Sequence, residues 1–307
     1  MADVPVPNIL STPNARRAFT MHDRTWDQGG QSNRYVYPVV SRRSKGISIG
    51  INLNPDKACN FDCIYCSVDR TIAPTTKDVD LPILRAELAQ MLDLVRTGEL
   101  YRFDPFDKIP QPLRRINDIA FSGDGEPTTS PQFPAACQIA AELVASHWPL
   151  SGGGAEHSPK LVLITNATMF HRPAVQEALA FLDRHNGEIW AKLDAGTPEY
   201  YDLVDRTPVP FQRVLDNLAD CCRARPTVIQ SLFMRVHDQP PPESEVLAYV
   251  ARLKEIVSRG GQIKLVQIYT VARRTTESFA TPLAEPELES LAAHVRWALR
   301  VPVEIYP

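Results

Sequence analysis

The 307-residue chain contains no run of about eighteen apolar residues, so no stretch of it reads as a membrane span. Its start lacks the basic and then apolar pattern of a signal peptide, and the expected location is the cytoplasm. There is no excess of positive charge either. The 33 Lys and Arg stand against 36 Asp and Glu, a formal charge of -3, which leaves no broad electrostatic footprint for nucleic acid. Cysteine is scarce, with six in all. Three of the six lie within eight residues, which fits a reducing compartment and a ligand site better than a disulfide framework. Histidine is missing between His22 and His147, and this limits what the clustered thiols can bind.

Those thiols belong to Cys59-Asn60-Phe61-Asp62-Cys63-Ile64-Tyr65-Cys66, with three and then two residues between them. Such spacing makes a chelating loop, not a packing pattern. A 4Fe-4S cubane normally takes four cysteine thiolates, so a loop supplying three leaves one iron open. Structural zinc is the competing occupant, but it asks for four nitrogen or sulfur ligands, and Asp62 or Asp69 would be a poor fourth. Cys137 and Cys222 fall on apolar helical faces and read as packing residues. Cys221 is a weak candidate for reactivity.

Residues 1 to 45 show no sustained period and read as an extended arm, with the basic Arg42-Arg43-Ser44-Lys45 as a solvated turn. Ile47, Ile49, Ile51 and Leu53 alternate, which predicts a strand over 46 to 54 that delivers the cysteine loop. A helix is predicted over 81 to 97, closed by Gly98. Further strands are expected at 116 to 122, 160 to 165, 188 to 193, 227 to 234 and 262 to 269. Helices are expected at 133 to 147, 173 to 185, 211 to 222, 243 to 258 and 286 to 299. This alternation argues for a parallel α/β sheet with right-handed crossovers, either open and doubly wound or a partial barrel. In both, ligands bind beyond the C-terminal strand ends.

The Cys-x3-Cys-x2-Cys loop with Tyr65 before its last cysteine resembles the signature of the radical SAM enzymes. Several other stretches carry the resemblance to the group that includes the tRNA wybutosine-synthesis enzymes. They are Ile49-Gly50-Ile51-Asn52-Leu53, Phe121 to Thr128 with Pro131, and Lys192-Leu193-Asp194-Ala195. The resemblance runs from Gly46 to about Thr270 and implies a partial (β/α)6 barrel. The arm would then be residues 1 to 45, the core barrel 46 to 275, and a C-terminal helix and tail 276 to 307. It implies two cofactors, a 4Fe-4S cluster on Cys59, Cys63 and Cys66 and S-adenosyl-L-methionine on the open iron. Reductive cleavage then yields methionine and a 5′-deoxyadenosyl radical, chemistry that the cofactor carries and the fold positions.

By the same resemblance, Gly123, Asp124, Gly125 and Glu126 stand where the family has a Gly-Gly-Glu element for the amino group of S-adenosylmethionine. Asp124 departs from that pattern. Lys192 is implied to face the cofactor carboxylate and Asp194 the ribose hydroxyls, with Tyr65 and Asn166 nearby. Lys192 and Asp194 are two apart on a strand and share a face, so an ordinary ion pair between them is the plainer reading. Gln230 and Ser231 on one strand, and Gln267, Tyr269, Arg273 and Arg274 on the next or just past it, are candidate adenine or substrate contacts. The tRNA-modifying members carry extra upstream cysteines, and this chain has none before Cys59. A small-molecule or peptide substrate is therefore expected ahead of tRNA, with a reductase, flavodoxin or ferredoxin as electron donor. The alternatives are a tRNA-modifying relative and a non-catalytic iron-sulfur or zinc protein.

Overall fold

The computed structural model describes residues 26–27, 32–41, 43, 46–71, 73–74, 76, 78–149 and 158–307. Arg42, Ser44 and Lys45 of the basic cluster lie outside them. In chain order the elements are β1 (Trp26–Asp27), β2 (Ser32–Asn33), β3 (Val36–Ser41), β4 (Gly46–Ile51), α1 (Leu81–Arg96), β5 (Ile116–Phe121), α2 (Phe133–His147), β6 (Lys160–Thr165) and α3 (Pro173–Asp183). Then follow β7 (Gly187–Lys192), α4 (Pro198–Asp205), α5 (Phe211–Ala224), β8 (Thr227–Leu232), β9 (Met234–Val236), α6 (Glu243–Ser258), β10 (Ile263–Tyr269), β11 (Ala280–Pro282), α7 (Glu285–Ala298) and β12 (Val303–Tyr306). Within the first unit described below the strand order is β5-β4-β3, and within the second β12-β10-β8-β7.

The chain divides into two compact units, the first of Met1–Ala58, Ala73–Val162 and Ala178–Gly187 and the second of Cys59–Ile72, Leu163–Glu177 and Glu188–Pro307. In the first, β4 pairs in parallel with β5 and antiparallel with β3. All six residues of β4 are buried: Ile47, Ile49 and Ile51 form the apolar face that the alternation predicts, and on the other face Ser48 donates to the buried Asp118 carboxylate. Phe121 at the end of β5 meets Phe133 at the start of α2 edge-on, with ring centroids 5.7 Å apart. Helix α1 starts where Asp80 accepts a bond from the Ile83 N–H at 3.0 Å, a side-chain cap that satisfies one orphan donor of the first turn. It stops at Gly98, whose φ of 81° suits a residue without a Cβ. The buried carboxylate of Glu87 on α1 accepts from the backbone N–H groups of Arg34, Tyr35 and Val36 at 2.8, 2.9 and 3.2 Å. Those bonds fix β3, which lies inside the stretch expected to be an arm. Pro38 masked the strand, and it is tolerated because β3 is the last strand in the order.

The second unit is built on β7, β8, β10 and β12, which pair in parallel. Every residue of β8 is buried, because this strand has neighbours on both sides. The register aligns Lys192 with Gln230 and Gln230 with Gln267. Ser231 turns the other way, and its hydroxyl meets the Tyr249 hydroxyl of α6 at 2.6 Å. Four elements here had no expectation of their own in the sequence. Helix α4 is capped by the Thr197 side chain, β9 and β11 form an antiparallel pair, and the tail after α7 becomes β12. A compact cluster of Ile64, Val204, Leu232, Met234 and Ala280 joins the cysteine loop to α4, β8, β9 and β11, with Tyr65 and Tyr269 packed against it.

Candidate functional site

In the second unit, Cys59, Cys63 and Cys66 sit half-buried on an irregular loop and form no disulfide. Later segments hold that loop. Asp62 N–H donates to the Asp205 carbonyl at 3.1 Å and Ile64 N–H to the Val204 carbonyl at 2.9 Å, both at the end of α4. Thr276 N–H donates to the Cys66 carbonyl at 2.8 Å, and the Thr207 hydroxyl to the Asn60 carbonyl at 2.7 Å. Phe61 packs edge-on against Tyr201 of α4. The two thiols of the Cys-x2-Cys half meet opposite surroundings: Cys63 Sγ lies 3.4 Å from Asp205 Oδ1, whereas Arg70 Nη1 lies 3.4 Å from Cys66 Sγ. Burial first, and the Asp205 charge second, push the Cys63 thiol well up. Burial and then Asp194 likewise raise Asp205. The three thiols share one loop without converging; among the described residues no three His, Cys, Asp or Glu side chains gather closely enough to hold an ion. The donor chemistry nonetheless suits an iron-sulfur cluster, since three thiols, none of them in a disulfide, lie on one short segment.

Beside the loop, Asp194 is the centre of a polar cluster. Its carboxylate accepts from Tyr65 Oη at 2.5 Å, from the Leu232 N–H at 2.7 Å and from Lys192 Nζ at 3.0 Å. Lys192 also donates to Tyr269 Oη at 2.9 Å, and its ammonium lies over the Tyr65 and Tyr269 rings, 4.9 and 5.3 Å from their centroids. Such faces attract a cation. Burial alone would lower Lys192, but Asp194 and Tyr269 outweigh it and hold the ammonium above its ordinary range. The Tyr65 hydroxyl is pushed well up by burial and by Asp194. The Lys192–Asp194 ion pair, the plainer alternative to the cofactor reading of these two residues, is present, and Tyr65 and Tyr269 join it.

Asn166 donates to Asn60 Oδ1 at 2.8 Å, and Asn60 in turn donates to Thr168 Oγ1 at 2.7 Å. Between them Ala167 adopts a φ of 62°, unfavourable for a residue with a Cβ. Asn217 of α5 clamps it by donating to the Ala167 and Thr168 carbonyls at 2.8 and 3.1 Å. Gln230 donates to Gln267 at 2.7 Å, and both are buried. Arg273 is half-buried and Arg274 exposed, just past β10. Cys137, Cys221 and Cys222 are buried; burial pushes Cys222 up to about 12, which suits packing and not reactivity.

In the first unit, the turn after β5 closes on residues that follow β4. Asn52 donates to Asp124 Oδ2 at 2.7 Å and accepts from the Asp124 N–H at 3.1 Å. A Cβ on Gly123 would run into the Asn52 side chain, and one on Gly125 into the Ala58 carbonyl oxygen and Asn54. Both glycines are thus required by close approach. Glu126 Oε1 accepts from Thr128 N–H at 3.1 Å and Thr128 Oγ1 at 2.5 Å, so it caps its own turn. Sequence reasoning overlooked Asn52, Asn60, Arg70 and Asp205. Asp205 had no period to mark it; Arg70, four after Cys66, was the one with a positional signal.

An α/β protein with parallel strands and a three-thiol loop is the class that this geometry defines. Residues 53–245 match the radical SAM superfamily, and the chain belongs to that family. A UPF0026 protein of Helicobacter pylori strain J99 is 27% identical over 185 residues, 60% of this chain and 48% of that protein. The chain thus spans about half the length of that curated relative. Among solved structures, a radical SAM methyltransferase from Sphaerobacter thermophilus superposes with a TM-score of 0.56 at 12% identity, over 92% of this chain and 72% of that one. TYW1 with a lysine-pyruvate adduct bound gives 0.53 at 14%, over 83% and 74%. At such identities the likeness concerns the fold, which is the expected partial barrel of radical SAM type. Among the described residues no helix is long and apolar enough to cross a membrane.

Proposed function

We propose that the chain is an enzyme of the radical SAM type in which Cys59, Cys63 and Cys66 hold a 4Fe-4S cluster and leave one iron for S-adenosylmethionine. When bound, that pair supplies one-electron reductive cleavage of a carbon-sulfur bond and abstraction of hydrogen from a substrate. The observation that carries the reading is the three-thiol loop itself, tied by backbone bonds to α4 and Thr276 within the stretch that matches the superfamily.

The remaining work falls to the protein. Lys192 and Asp194 are assigned to the cofactor carboxylate and ribose, with Tyr65 and Asn166 beside them. Gly123, Asp124, Gly125 and Glu126 are assigned to its ammonium. Asp194 already accepts three bonds within the protein, so it meets a ribose by exchanging one of them, and Glu126 meets an ammonium in the same way. The substrate is assigned to small molecules or peptides, with Arg273 and Arg274 as the anion clamp and a flavodoxin, ferredoxin or reductase as electron source. A chain of net charge -3 offers little to an extended phosphate backbone.

The test is anaerobic purification with quantification of iron and acid-labile sulfide, followed by reduction in the presence of S-adenosylmethionine. Wild type is expected to hold one cluster and release 5′-deoxyadenosine. Cys59→Ala, Cys63→Ala and Cys66→Ala are each expected to lose the iron, and Cys137→Ala to keep it. Zinc without sulfide in the wild type, or wild-type iron in Cys63→Ala, refutes the reading.

A further inference from the structure

The two cysteines of the Cys-x2-Cys half are not equivalent, and the difference lies in Arg70 and Asp205. Cys66 has a guanidinium on its sulfur, with Arg70 Nη1 at 3.4 Å. The segment between Cys66 and Arg70 is held in place. Thr276 N–H holds the Cys66 carbonyl at 2.8 Å, and the Val68 side chain between them is buried. Arg70 is half-buried, so its charge is less screened than that of a surface arginine. Guanidinium remains protonated at any pH a protein survives. The thiol of Cys66 is thus placed beside a permanent cation with an N–H aimed at sulfur, while Cys63 faces the Asp205 carboxyl.

We propose that Arg70 is a positioning residue that sets the reduction potential of the cluster through a charge-assisted N–H···S bond to Cys66. This rests on the reading that Cys59, Cys63 and Cys66 hold a 4Fe-4S cluster. Reduction adds one electron and hence one negative charge to the cluster and its thiolates. A donor and a cation at one ligand sulfur stabilise that added charge, and hydrogen bonds to the sulfurs are among the factors that set cluster potentials. Charge-assisted bonds are roughly twice as strong as neutral ones, so both parts of the contact contribute. Removing it is expected to lower the ratio of reduced to oxidised cluster at a fixed applied potential by about tenfold, which for a one-electron couple corresponds to a shift of about 59 mV to more negative values.

The experiment is an electron paramagnetic resonance titration of anaerobically reconstituted wild type, Arg70→Met, Arg70→Gln and Arg70→Lys, with dithionite supplying the single electron. Iron and sulfide are quantified in each sample. Arg223→Met, which removes a surface cation paired with Asp220 on α5, is the control and is expected to titrate like the wild type. Arg70→Met is expected to shift fully negative, Arg70→Gln to keep the donor but lose the charge and shift part of the way, and Arg70→Lys to stay nearest the wild type. Full cluster content in Arg70→Met with an unchanged potential overturns the proposal. Loss of the cluster from all three variants makes Arg70 a residue of loop folding alone and also overturns it. A wild type without iron and sulfide refutes the cluster reading instead, so the two failures are distinct.

Discussion

Replacing Asp194 by Ala removes the carboxylate from a cluster in which its side chain is 1% exposed and that of its partner Lys192 15%. The lost contacts are the Tyr65 hydroxyl at 2.5 Å, the Leu232 N–H at 2.7 Å and the Lys192 ammonium at 3.0 Å. The last one dominates, because the variant leaves a buried cation without its nearest carboxylate, facing the Tyr269 hydroxyl and two ring faces. Breaking a buried pair by removing one partner costs about 3–5 kcal/mol, and Asp194→Ala is expected to fall in that range by urea denaturation. The double variant Lys192→Met, Asp194→Leu is expected to recover most of the loss, since an apolar pair of similar volume often replaces a buried ion pair at little cost. The pH dependence has a definite sign. Burial opposes the charged Lys192 and Asp194 more than restores it, so the folded value lies above the unfolded one. The contribution is then fully present below the unfolded lysine value of about 10.4 and is lost as pH rises through the folded value. The pair's contribution in the wild type should therefore be the same at pH 6 and pH 8, whereas in Asp194→Ala burial is no longer outweighed by Asp194 and opposes the ammonium, so the penalty should shrink as pH rises. A measured loss under about 1 kcal/mol, or a double variant no better than the single, would refute the view that Asp194 compensates Lys192.

Gly125→Ala is expected to lower the denaturation midpoint by the equivalent of about 1–3 kcal/mol, because the new Cβ meets backbone at Ala58; an unchanged midpoint would show that the turn yields freely. Unmodified tRNA titrated against the protein at rising salt is expected to bind weakly with a shallow salt slope. Tight binding that falls steeply with salt, and persists in the double variant Arg273→Ala, Arg274→Ala, would restore a tRNA substrate.

Long elements were legible because their periods are strong. Helix α1 buries Leu84, Leu88, Met91, Leu92 and Val95 at helical spacing, and β4 alternates without interruption. Short ones were not: α4 has eight residues, β12 four, and β9 and β11 three each, too few to display a period. Within the site, the thiol spacing and the shared face of Lys192 and Asp194 are local facts that a sequence states directly. The roles of Asn52, Asn217 and Asp205 arise from segments that meet only in the folded chain. Asn217 is a case in point, for on α5 it looks like any polar helical residue, yet it holds the strained Ala167 carbonyl.

The anchoring of the cysteine loop also orders events in time. Thr276, whose hydroxyl reaches the Ile64 carbonyl, lies 212 residues further along the chain, and α4 with Val204 and Asp205 lies about two thirds of the way there. A ribosome adding roughly 5–20 residues per second leaves the three thiols without their clamps for roughly ten to forty seconds. Throughout that interval they are ordinary reduced cysteines on a nascent peptide, open to oxidants and to stray zinc. On the proposed function, a cluster that needs the clamped loop is loaded only after Thr276 has been made, and the yield of loaded protein then depends on how well that interval is kept reducing.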